Sequence, residues 1–168
     1  MEKSDIGSTQ YLTFNLDKDN FALEISSVNE IIDFKPLTVL PRMTDFLRGV
    51  IDLRGMILPI IDLRVLLNMG RTEKDQDTCI IVTELPMGED KITMGIMVDS
   101  VQAVIELNQN SIEPPVNIGI RINTDLIKGI ADHGEGFLMI LDINRVLSRD
   151  ELAMLENASN TVIQQEPI

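Results

Sequence analysis

The chain has 168 residues, 14 Lys and Arg against 27 Asp and Glu, one cysteine and no Trp. That length holds one or two small domains, whose core Ile, Val, Leu and Met must fill. The net charge of −13 excludes a nucleic-acid or anionic-membrane binder, which needs clustered Lys and Arg, and the lone Cys79 excludes an internal disulfide and fits a reducing cytosol.

Residues 1–9 are polar and expected to be mobile; they lack the apolar stretch of a signal peptide. The longest apolar runs, about six residues, are far short of a membrane span, so a soluble protein is expected. Leu12, Phe14 and Leu16 alternate with polar residues, and so do Phe21, Leu23 and Ile25 across the turn at 17–20. This is a β-hairpin with one face in the core. Asp17 and Asp19 suggest a calcium loop, but its glycine and next ligand are missing. SSVNEIIDF follows at 26–34, and Pro36 and Pro41 punctuate a short extended segment.

Residues 45–67, DFLRGVIDLRGMILPIIDLRVLL, predict two strands joined at Gly55 and then a short helix. Met56 to Ile61 is apolar throughout, which suits a strand buried on both faces, with Pro59 where no ladder donor is needed. Asp62 stands at the helix cap. Residues 70–77 are polar and form the natural linker. Residues 78–85 predict a strand, with Cys79 a plain buried residue by default. A turn at Pro86 and Gly88 follows, then strands over 91–100 and 101–107 and a long loop over 108–123. A second hairpin turns at Gly134 and Gly136. Ser148 and Glu151 form a capping box that opens a C-terminal helix over 149–158, and 159–168 reads as a loose tail.

The central stretch recurs. Residues 125–147 laid over 45–67 share seven of 23 positions: Asp45/Asp125, Gly49/Gly129, Asp52/Asp132, Leu58/Leu138, Ile60/Ile140, Asp62/Asp142 and Leu67/Leu147. Upstream, 21–34 lies over 94–107 at an offset of 73, with Ser27/Ser100, Val28/Val101 and Ile32/Ile105 identical. The chain is therefore read as two copies of one small β unit. Each half, at about 70 residues, is marginal alone, so the halves are expected to share packing surface.

Enzymatic chemistry finds little support in this pattern. His133 is the only histidine, and neither a Ser-His-Asp nor a Cys-His arrangement is present. No metal site or cofactor motif is expected. The sharpest enzymatic idea pairs Asp62 with Asp142 as an aspartic dyad in a small β enzyme, against helix capping as the plainer role. Arg42, Arg48, Arg54, Arg64 and Arg71 form a locally positive stretch on an acidic chain. Arg54 stands at a hairpin turn where the second copy has Gly134, which makes it a candidate to pair with a partner carboxylate.

GVIDLRGMILPIIDLR, with LTVLP before it, GIMVDSV near the middle and LIKGIADHGEGFLMILDINRVL ahead of the capped helix, resembles the CheW family of bacterial chemotaxis coupling proteins. The likeness runs over residues 10–158. It implies a mainly all-β fold: two pseudo-repeated five-stranded SH3-like β-barrels on a shared core, with short helices. Subdomain 1 would span about 10–75 and subdomain 2 about 76–147. The resemblance further implies a non-enzymatic cytoplasmic adaptor that needs no cofactor. Such an adaptor couples methyl-accepting chemoreceptors to the regulatory domain of the histidine kinase CheA in arrays at the inner face of the membrane. It touches neither nucleic acid nor the membrane directly. A homologous adaptor of another chemosensory system, such as type IV pilus twitching, is the alternative, and the length points away from relatives that carry a receiver domain. Residue by residue, Arg54 and Gly49 match receptor-groove positions, Val28 and Glu30 match the segment lining the same face, and Asp52 replaces the usual Asn. Kinase contacts are expected among apolar side chains near the hairpin turns.

Overall fold

Short β-branched runs and glycine turns dictate a strand-rich chain, and the computed structural model has eleven strands among the residues it describes, 7–41, 43–115, 124–134, 136–148, 150–155 and 157. They are β1 (Ser8–Leu16), β2 (Asp19–Glu24), β3 (Val28–Asp33), β4 (Leu47–Leu53), β5 (Met56–Asp62), β6 (Cys79–Met87), β7 (Asp90–Val98), β8 (Ser100–Asn108), β9 (Ile112–Glu113), β10 (Ile127–His133) and β11 (Gly136–Leu141). One helical turn, α1 (Leu63–Leu66), follows β5, and residues 150–155 are helical behind the expected capping box. There Ser148 N–H donates to Glu151 Oε1 at 2.8 Å, and Glu151 N–H donates to Ser148 Oγ at 3.2 Å. The first strand starts at Ser8, inside the stretch expected to be mobile. Residues 1–6 and the tail 159–168 lie outside the described residues, as do 116–123 of the expected long loop. Pro86 lies within β6 rather than in the turn; β3 pairs with β6 only as far as Thr83, so the missing donor of Pro86 breaks no ladder there.

The strands make two sheets, one in the order β8-β1-β2-β11-β10-β9 and the other β3-β6-β7-β5-β4. Neither follows the sequence halves. β1 and β2 of the first copy join β8 to β11 of the second, while β6 and β7 of the second join β3, β4 and β5 of the first. The division at 75/76 thus separates the copies in sequence but not the barrels in space. Four pairings do the exchange: the antiparallel β1–β8 and β3–β6 ladders, and two parallel ones that set Ile60 opposite Gly95 and Ile140 opposite Ala22. These positions are equivalent at the offsets of 80 and 73 found in the sequence, so the duplication is a true pseudo-repeat.

Alternation along each strand explains why these segments are apolar on both faces. Ile51, Leu58, Ile60, Ile80, Val82 and Met97 pack inside the second sheet. Tyr11, Ala22, Ala131, Leu138 and Ile140 pack inside the first. Their neighbours, such as Leu12, Phe21, Ile61, Ile81, Ile96 and Leu141, point the other way into one cluster that both sheets share. A strand with one face in a barrel and the other in a common core has no solvated side, which holds from Leu58 to Ile61, whereas Met56, next to the turn, is exposed and Ile57 half-buried. Pro59 pairs with Val50, whose N–H and C=O bond Thr38 instead, at 2.9 Å each. The strand therefore asks no donor of it.

Candidate functional site

The central hairpin turns on two residues with positive φ, Arg54 at 52° and Gly55 at 87°, with Leu53 opposite Met56. A two-residue turn of this kind matches the right-handed twist of its strands. Glycine adopts it freely; an arginine there is uncommon, and its side chain is sent away from the ladder. Asp52 Oδ1 accepts the Gly55 N–H at 2.8 Å and so fixes the turn. An amide oxygen in the same place would accept equally well, which accounts for Asp52 in place of Asn without any contact to Arg54.

Sheet order places β3 and β4 at opposite edges of the second sheet, and Arg54 closes the gap. Its guanidinium grips the Glu30 carboxylate through both terminal nitrogens, Nη1 at 3.4 Å from Oε1 and Nη2 on Oε2. The hydrogen bond to Glu30, and then its charge, hold the Arg54 pKa above its ordinary value. The Arg54 side chain remains 68% exposed. Ile31 of β3 and Met56, which follows the turn, are exposed apolar residues on the same elements. The structure thus brings together Arg54 and Glu30 of the residues singled out in sequence. Val28, at the start of β3, is half-buried against the shared core. Gly49 is buried: a Cβ on it would lie 2.7 Å from Thr38 O, and its φ is 150°. The Thr38 backbone crosses close by and leaves no room for a side chain there.

The positive stretch is not a free patch. Arg48 pairs with Asp62 at 2.7 Å, Arg54 with Glu30 and Arg64 with Asp99, while Arg42 lies outside the described residues. Exposed Arg71 rims a separate hollow of about 580 Å³ with Val39, Leu40, Met43, Val65 and Asn68. The aspartic dyad fails on geometry. Asp62 is fully buried, and its two oxygens accept from four donors: Arg48 Nη1 at 2.7 Å, Arg64 N–H at 3.1 Å, and the Thr72 N–H and hydroxyl at 2.9 and 2.7 Å. Asp142 caps a different turn, accepting the Asn144 N–H at 3.0 Å beside Arg145. Both aspartates are caps, and their oxygens face their own chain segments. Sequence reasoning missed the Glu30–Arg54 pairing and Thr72, because no local spacing announces a bond across 24 or 10 positions.

The model of the CheW-like domain matches residues 10–151. The chain belongs to the CheW family. It is 33% identical over 152 residues to the chemotaxis protein CheW of Klebsiella aerogenes, covering 90% of this chain and 89% of that one. It is 30% identical to the Bacillus subtilis CheW over 83% of this chain and 86% of the relative. The crystal structure of the scaffolding protein TtCheW from Thermoanaerobacter tengcongensis superposes with a TM-score of 0.76 at 31% identity, covering 86% and 92% of the two chains. The likeness extends to CheV3 of Helicobacter pylori, at 29% identity over 44% of that longer chain. A chemotaxis scaffold of the CheW type, built on two SH3-like β domains, is therefore the class to which this chain is assigned. No described helix is long and apolar enough to cross a membrane.

Proposed function

We propose that this chain is a non-enzymatic adaptor that couples the cytoplasmic tips of methyl-accepting chemoreceptors to the regulatory domain of a CheA-type histidine kinase. It works in the cytoplasm, held at the inner face of the membrane through receptor arrays. The observation that carries the reading is the Arg54–Glu30 pair. An exposed guanidinium stands at a turn that glycine would occupy more easily, braced across the edges of the second sheet and flanked by exposed Ile31 and Met56. A braced arginine beside apolar side chains suits a helical tip that offers both apolar and acidic groups. In the second copy the turn carries Gly134. Phe137, exposed beside the second hairpin turn, is the proposed kinase contact. Each contact is weak alone and strengthened by the array.

The test is a pull-down of the purified chain with a receptor hairpin-tip fragment and with the kinase regulatory domain, separately and together, at low and physiological salt. Both are expected to bind. Arg54→Glu is expected to keep the fold, with melting shifted by no more than about 2 °C, as for exposed turn residues. It should lose receptor binding by about tenfold or more while sparing the kinase. Normal receptor binding by that variant would remove Arg54 from the groove. Failure of the parent chain to bind either partner would point to another chemosensory system.

A further inference from the structure

Asp99 is the single residue between β7 of one sheet and β8 of the other, so the chain changes barrel there. Its carboxylate accepts both Nε of Arg64, at 3.2 Å, and Arg64 Nη2, and also the backbone N–H of Asp17 at 2.6 Å. Its own N–H donates to Asn15 O at 3.1 Å. Arg64 belongs to α1, which packs against β7, whereas Asn15 and Asp17 lie at the β1–β2 turn of the other sheet. One carboxylate therefore holds parts of both barrels at a crossover. The side chains of Arg64 and Asp99 are 19% and 18% exposed, which shields the pair from screening. The hydrogen bond to Asp99 raises the Arg64 pKa, so the cation is permanent.

The other crossover lacks this device. The chain also changes sheet at residues 25–27, where Ser26 is the counterpart of Asp99 (99 − 73 = 26) and Asn144 that of Arg64 (144 − 80 = 64). Neither can form an ion pair. The apolar core between the sheets resists separation but has no preferred direction, whereas a two-pronged guanidinium–carboxylate contact does.

We propose that Arg64 and Asp99 are positioning residues that fix the angle between the two barrels, and that joining two partners at once depends on this angle more than binding either one. The second half rests on the adaptor reading above. The full chain carrying Cys79→Ser receives spin labels at Glu89→Cys, in the β6–β7 turn, and His133→Cys, at the end of β10, and pulsed electron resonance reads the distance between barrels. Asp99→Asn, which keeps an acceptor for the Asp17 N–H, is expected to widen the distance distribution about twofold. Arg64→Lys, which keeps the charge but not the fork, should fall between it and the parent. An unchanged width in both would overturn the proposal. In the binding arm, affinity for each partner alone should stay within about threefold, while the yield of the three-component complex falls about tenfold. Equal losses in single and joint binding would also overturn it, since the residues would then serve a docking face or the fold. A parent chain that binds neither partner removes the adaptor reading, and the distance distributions still judge the pin by themselves.

Discussion

The β4–β5 and β10–β11 hairpins began as one design and now differ where their polar atoms go. Both start with a bulge, skipping Arg48 in one and Lys128 in the other, and both let a segment cross a glycine, Thr38 over Gly49 and Glu113 over Gly129. Both end in an aspartate that caps the next turn. Yet Asp62 is sealed and satisfied by Arg48 and Thr72, while Asp142 is half-exposed beside Arg145. Lys128, the counterpart of Arg48, reaches Glu24 only at 3.9 Å. The backbone frame is shared by both copies. The first copy adds a sealed anchor for the linker and an arginine at its tip, and the second remains plain.

The largest effect should separate the two aspartates. Asp62→Ala leaves the buried Thr72 N–H and hydroxyl without their acceptor and Arg48 with the Thr72 carbonyl alone; it is expected to cost about 3 kcal/mol, whereas Asp142→Ala loses a surface cap worth about 1 kcal/mol. Thermal melting of both variants checks this, and equal losses would erase the distinction. A smaller difference is expected between the glycines. At Gly49 a methyl group meets backbone at 2.7 Å with φ at 150°, so Gly49→Ala should cost about 2 kcal/mol. At Gly129 the nearest atom, at 2.4 Å, is the γ-methyl branch of Ile112, with Glu113 O at 3.0 Å; the close neighbour is side chain rather than backbone and the φ is not in the left-handed region, so the expected cost is lower, about 1 kcal/mol. Urea denaturation of the two variants should rank them in that order.

The subtlest measurement uses Cys79. Burial first, and then the charges of Asp33 and Asp77, push its thiol pKa up, so at pH 8 it should react with a disulfide reagent more slowly than a free thiol. Because the native value is raised, the stability tied to this group is intact below the ordinary thiol range and declines as pH climbs through that range towards the native value. Cys79 lies in β6, opposite Asp33, and packs against the core that both sheets share. Its reactivity should rise more in Asp62→Ala than in Asp142→Ala, following the larger loss of stability.

Much of the frame was legible because it is local. Period-two alternation revealed the β1–β2 hairpin, two glycine turns revealed the paired hairpins, and Ser148 with Glu151 revealed the capped helix. The duplication was legible because Ile60 and Ile140 kept their neighbours. What escaped is everything that depends on which strand lies beside which. Contiguous subdomains are the natural reading of a tandem repeat, but equivalent strands can pair within a copy or between copies with the same registers and the same alternation. The Arg-rich stretch misled for a similar reason: Glu30 and Asp99, which pair with Arg54 and Arg64, lie far off in the chain. Arg54 stood out because a contrast between copies at a turn can be read without knowing the fold, and the same contrast hid Glu30, whose counterpart is the unremarkable Ala103.

The exchange of strands between copies also governs when the protein can fold. Leu12 of β1 pairs with Val104 of β8, and β2 takes β11, so the first strands made must wait for nearly the last. A chain with so many distant pairings folds slowly, and during synthesis it carries unpaired apolar edges until the second hairpin leaves the ribosome. Cutting at the linker would yield two fragments that each lack strands of both barrels, stable only when they meet.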